Sequence, residues 1–111
     1  MTKMIKGILI NAKDRTVKPV EVRQHDIHHM HDLIECQCFT CLNMNEKGTE
    51  TIYVDDEGLL KDPKHFFRMP FYPQWLAGNG LILGTNSNGE SVNTKCSVEE
   101  IESQVKFGAI A

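Results

Sequence analysis

The chain has 111 residues, 41% of them hydrophobic and 24% charged, with a formal net charge of -3. That length supports one domain over residues 1–111 with a real core, and the composition excludes a disordered chain. The mild acidity leaves no electrostatic footprint for nucleic acid, and no apolar run approaches the roughly 18 residues of a membrane span.

Residues 1–10 lack the long apolar region and small-residue cleavage site of a secretory signal, so a cytoplasmic location is expected. Reduced thiols then follow for Cys36, Cys38, Cys41 and Cys96.

Met4 to Ile10 reads as a buried strand, and N-A-K-D-R-T after it is turn chemistry. Val17 to Val22 returns as a second strand, with Pro19 placing it at an edge or turning its nitrogen to solvent. Asp26 is an N-cap for a short amphipathic helix over about residues 26–35, with Ile27, Met30, Leu33 and Ile34 at helical spacing. Cys36 to Met44 and Thr49 to Val54 are strand-like runs joined by the turn N-E-K-G. Leu59 to Leu76 is irregular, holding Pro63, Pro70 and Pro73 and most of the aromatic residues. Leu81 to Leu83 is a buried strand, N-S-N-G turns the chain, and Ser91 to Lys95 can pair back. S-V-E-E is a capping box that opens a helix near 98–106.

This order predicts an α+β domain: a mainly antiparallel sheet of about five to six strands with two short helices, expected on one face.

The opening G-I-L-I, the helix ending in L-I-E, and the strand pair ending in I-Y-V-D-D-E-G-L-L form a set of landmarks. W-L-A-G-N-G-L-I-L-G and S-V-E-E complete it. Together they resemble the family known as domain of unknown function 3846, over nearly the whole chain. The resemblance implies small proteins of phages, plasmids and bacteria, and brings no activity to carry over. The sequence departs from the pattern at Glu35-Cys36-Gln37-Cys38, where small residues are usual.

Four clusters could carry chemistry. C-Q-C-F-T-C holds one C-x-x-C, short of the two pairs of a zinc site. Its cysteines read as small buried hydrophobes, as a redox pair, or as metal ligands using Cys36, Cys38 and His65. H-D-I-H-H-M-H places His25 with His29 and His28 with His31 at helical spacing; it reads as a solvated face, an adventitious metal site or a pH-responsive surface. Asp55-Asp56-Glu57 reads as a charged turn, with Asp55 and Glu57 on one side and Asp56 on the other. A hydrolase or transferase using Asp56 or Glu57 is the enzymatic alternative. The segment from His65 to Trp75 either completes the core or forms a binding surface from Arg68, Tyr72, Gln74 and Trp75, joined by Asp56 and Glu57. Phe66 or Phe67 is expected inside and Tyr72 or Trp75 at the rim.

With no phosphate-binding loop, G-x-S-x-G or H-E-x-x-H, no catalytic residues and no cofactor are expected. The reading is a non-enzymatic accessory protein of a phage or mobile element that binds a host protein. Sequestration of a small nucleotide-like ligand and a metal-stabilised domain are the alternatives. An edge strand could also pair two copies into a homodimer. Nucleic-acid binding would return only if Lys3, Lys6, Lys13, Arg15 and Lys18 gathered on one face.

Overall fold

The structure, a computed structural model, describes residues 3–61 and 63–109. The chain opens with the hairpin β1 (Met4–Asn11) and β2 (Thr16–Arg23), in unbroken register from Met4↔Arg23 to Asn11↔Thr16. Asn11 shapes the turn by accepting the Asp14 main-chain N–H at 3.0 Å.

Helix α1 (Ile27–Ile34) follows. Asp26 caps it, accepting the His29 main-chain N–H at 3.0 Å, and the same carboxylate takes Arg23 Nε at 2.8 Å. Met30 and Ile34 are buried, but Ile27 is 58% exposed, so the buried stripe is narrower than the sequence pattern. The helix stops at Glu35, which adopts a left-handed conformation (φ 60) without being glycine. Asn79 supports that bend: its Nδ2 donates to Leu33 O at 3.0 Å and Glu35 Oε2 at 2.8 Å.

Strands β3 (Phe39–Asn43) and β4 (Glu50–Asp55) form the second hairpin. A 3-10 turn (Gly58–Leu60), β5 (His65–Arg68) and β6 (Leu76–Ala77) come next. Then follow β7 (Asn79–Thr85), β8 (Ser91–Val92), α2 (Val98–Gln104) and β9 (Lys106–Ala109). The main sheet has six strands in the order β2-β1-β7-β4-β3, with β8 on the end of β7; a small sheet runs β6-β5-β9. Every pairing is antiparallel.

β7 is the keel. It joins the two hairpins, through Ile8↔Ile82 on one side and Ile52↔Ile82 on the other. All its residues from Asn79 to Gly84 are buried, as expected for a strand covered on both faces. On one face Ile8, Ile10, Ile52, Val54 and Ile82 meet Ile101 of α2 and Phe67 and Met69 from the small-sheet region. On the other, Ile5, Val22, Leu81 and Leu83 meet Met30 and Ile34 of α1. The two helices therefore lie on opposite faces, not together as expected. The small sheet is the reason: with α2 it covers one face, and α1 is left the other.

Phe67 fastens the two sheets. It is fully buried, and a Cβ on Gly80 would lie 2.8 Å from its ring, so only glycine admits it. Burying a side chain of this size stabilises by roughly 1.5–3 kcal/mol.

Three strands lie outside the sequence expectations: the two-residue β6 (Leu76–Ala77) at the end of the irregular segment, β5 and β9. His65–Arg68 sits in the Pro-broken segment taken as irregular, and Lys106–Ala109 begins where the last helix was expected to finish. The capping box is as expected: Ser97 Oγ accepts Glu100 N–H at 3.1 Å, and Glu100 Oε1 accepts Ser97 N–H at 3.1 Å. But α2 ends at Gln104, and Val105 already has extended backbone. Among the described residues no helix is long and apolar enough to cross a membrane.

Candidate functional site

The end of β4 sets the geometry of a surface cleft built from several segments. Asp55 Oδ1 accepts the Glu57 main-chain N–H at 2.9 Å, and Oδ2 takes Lys61 Nζ at 2.6 Å. That hydrogen bond holds the Lys61 ammonium above its ordinary value. Asp55 is thus spent on shaping the turn, and its tie to Glu57 runs through the main chain, not through paired carboxylates. Asp56 and Glu57 stay exposed.

The 3-10 turn follows. Gly58 is buried, and a Cβ there would lie 3.3 Å from the Ala77 Cβ, so the turn sits tight against β6. This contact throws the next two side chains outward: Leu59 is 59% and Leu60 82% exposed. From the other side comes the segment after β5. Met69 anchors it in the core, and the Tyr72 N–H donates to Met69 O at 3.1 Å. Trp75 is 41% exposed, its ring lying over Gly108 of β9, where a Cβ would be 3.2 Å away.

Between these elements lies a cleft of about 210 Å³. Thr40 and Leu42 of β3 form one wall, Val54 and Ala77 line its buried part, and Leu59, Leu60, Tyr72, Gln74 and Trp75 make the rim with Asp56. The cleft thus gathers Tyr72, Gln74, Trp75 and Asp56 from the sequence reading. Arg68 lies elsewhere, beside Met69, Pro70, Gln104 and Lys106. Glu57 does not line the cleft. Thr40, Leu42, Leu59 and Leu60 were missed. The leucine pair had one sequence signal, two large apolar residues after an acidic turn and a glycine.

The chemistry of the lining is limited. No imidazole, thiol or cationic side chain lines it among the described residues. It offers apolar surface, two aromatic rings, hydroxyl and amide groups, and carboxylates at one end. Its volume is below the roughly 300–1,000 Å³ of sites that enclose a small-molecule ligand. It is suited to receiving a side chain.

The other clusters are dispersed. All four cysteines are free; Cys38 and Cys41 are exposed, so burial accounts only for Cys36 and Cys96. Burial pushes both of those thiols above their ordinary value. Cys96 Sγ donates to the buried carboxylate of Glu50 at 3.5 Å, and Glu50 also accepts the Thr94 hydroxyl and, at 3.1 Å, the Lys95 N–H. His65 pairs with Ala109 in the small sheet. His29 Nδ1 accepts the Arg23 N–H at 3.0 Å, and His31 stacks edge-on against Phe39 at 5.0 Å. Among the described residues no three His, Cys, Asp or Glu side chains are grouped to hold a metal ion. Lys6 and Lys18 project from opposite faces of the hairpin, since Lys18 pairs with Leu9 and not with an even-numbered residue of β1.

Residues 5–106 match the family described as Domain of unknown function (DUF3846). The chain belongs to this family. The description names no activity, substrate or partner. No curated protein and no solved structure matches the chain.

Proposed function

We propose that the chain is a non-enzymatic binding protein, an accessory product of a phage or other mobile element, that occupies a protein in the cytoplasm of its host. The observation that carries this reading is the cleft rimmed by Leu59, Leu60, Tyr72 and Trp75. Leu60 is 82% exposed on a turn that packs closely against Ala77 through Gly58. Large apolar side chains grouped around a depression, with polar groups at its edge, are what a protein partner buries. Of the two carboxylates in the lining, Asp55 is tied to the Glu57 N–H and to Lys61, and the small volume of the cleft favours a partner's side chain over an enclosed nucleotide-like ligand.

The test is a photo-crosslinking residue placed at Leu60 or, as control, at Lys18, in protein produced in bacterial cells. A discrete adduct from position 60 alone, lost with Tyr72→Ala or Trp75→Ala, supports the reading. Trp75→Ala should weaken the purified partner by about 2 kcal/mol or more, as for a central aromatic anchor. No adduct, or one that survives both substitutions, would overturn it. A nucleotide-sized adduct retained in native mass spectrometry, and lost with Tyr72→Ala, would support ligand sequestration instead.

A further inference from the structure

β3 is an edge strand, and its register says which of its main-chain groups are free. Met44 N–H donates to Glu50 O, and Asp56 N–H donates to Cys38 O. These bonds lie on the ladder that pairs Phe39 with Asp55 and Asn43 with Thr51. In an antiparallel ladder, hydrogen-bonded and non-bonded pairs alternate. Residues 38, 40, 42 and 44 therefore bond β4, and Phe39, Cys41 and Asn43 turn their N–H and C=O groups away from it. Among the described residues no main-chain bond takes up those three pairs of groups. The strand F-T-C-L-N also carries no charge and no proline, two of the devices that blunt an edge.

The free edge and the cleft are one surface, because Thr40 and Leu42 of this strand form the cleft wall. A strand laid against β3 would place alternate side chains on the cleft side, next to Thr40 and Leu42. At the Phe39 end it would reach Asp56 and Glu57, which are exposed and make no ion pair among the described residues.

We infer that the partner of the cleft presents an extended segment that adds to β3 as a seventh strand. Its main chain bonds Phe39, Cys41 and Asn43. One of its alternate apolar side chains enters the cleft between Leu42 and Trp75, and a Lys or Arg at the Phe39 end meets the acidic turn. Main-chain bonding supplies affinity and the cleft supplies selectivity, as in other strand-addition complexes. The inference rests on the binding reading above and specifies its partner as an extended, alternating segment with a basic end.

A random linear dodecapeptide library, displayed and selected on the full chain, supplies the probe. The expected consensus is an apolar-x-apolar alternation with a basic residue at one end. Cys41→Pro removes only an outward N–H and leaves the β4 ladder whole. It should weaken the selected peptide roughly tenfold or more, while Cys41→Ala leaves it unchanged. A second arm does not depend on the variant folding. Methylating the peptide's amides one by one should abolish binding at every second position and spare those between. Peptides without alternation, or uniform tolerance of methylation, overturn strand addition. If Trp75→Ala abolishes binding but Cys41→Pro and methylation do not, the cleft reading survives and the edge assignment fails. If none of them has an effect, both fail. A stable dimer of the free chain that Cys41→Pro dissociates, with no peptide taken up, assigns the edge to a second copy and also overturns the inference.

Discussion

The two edges of the main sheet are built to opposite ends. At the β2 edge, Gln24 N–H donates to Lys3 O on the ladder, so Val17, Pro19, Glu21 and Arg23 are the outward residues. Pro19 has no N–H to offer. The Arg23 N–H is taken by His29 Nδ1 at 3.0 Å, and its C=O by the Asp26 N–H at 3.2 Å. Charged Lys18, Glu21 and Arg23 line the strand. At the β3 edge none of these devices is present. The bare edge lies beside the exposed Leu59 and Leu60, so the binding proposed above falls on the unguarded side of the sheet. The lesson is that edge protection is read residue by residue from hydrogen-bond parity, not from the presence of a terminal strand.

Both edges depend on a well-packed sheet between them, and the largest effect comes from disturbing that packing. Phe67→Ala empties the space over Gly80 and should cost about 3–5 kcal/mol in denaturant unfolding. It should also loosen the cleft, whose Leu76 and Ala77 hang from β5 through the Phe67↔Leu76 pairing. Retained stability would show that the small sheet is not fastened through this ring.

Next is a contrast within β3. Leu42→Pro deletes an inward N–H that bonds β4 and should cost about 1–3 kcal/mol from the unpaired acceptor alone. Cys41→Pro, one residue earlier, should cost clearly less, because its N–H points outward and the preceding residue is already extended. Equal losses in thermal melts would break the parity assignment.

The guarded edge is tested by undoing its guard. Pro19→Val should leave stability within about 0.5 kcal/mol, yet raise self-association in concentration-dependent light scattering, because it restores an outward N–H. If association does not rise, the charged neighbours alone protect that edge.

The smallest effect is electrostatic. The Asp26 carboxyl is held below its ordinary value of 3.8 by the Arg23 hydrogen bond first and the His29 N–H second. A value lowered on folding contributes stability that is in place above the unfolded value and is lost as pH falls through the folded one. Asp26→Asn keeps a capping oxygen but not the charge. It should flatten the acid limb of melting temperature against pH, measured from about pH 6 to about pH 2.5. An unchanged limb would remove Asp26 from the guard.

Much of this fold was legible where short-range chemistry decides it. The N-terminal hairpin, the Asp26 cap, the β3–β4 pair and the Ser97 capping box each announce themselves within a few residues. Strands β5 and β9 do not. His65–Arg68 is four residues between prolines and becomes a strand only because Lys106–Ala109 and Leu76–Ala77 pair with it. Lys106 to Ala109 in turn reads as the tail of a helix until β5 is known. The placement of the helices on opposite faces depends on the small sheet claiming one face, which no local pattern encodes. For the cleft, the aromatic residues drew attention to Tyr72, Gln74 and Trp75. Thr40 and Leu42 join them from a distant strand, and Arg68 leaves because it sits beside Met69, Pro70, Gln104 and Lys106 in a separate depression.

The central position of β7 also sets an order of events during synthesis. The hairpins β1–β2 and β3–β4 can each close as soon as they leave the ribosome. Neither can bury its inner edge until β7 arrives, because Ile8 and Ile52 both pair with Ile82. β1 therefore waits for the much later β7, a long-range closure that slows folding. Until then β1, β4 and β3 each present a bare edge, and of these three only the β3 edge stays bare in the finished main sheet.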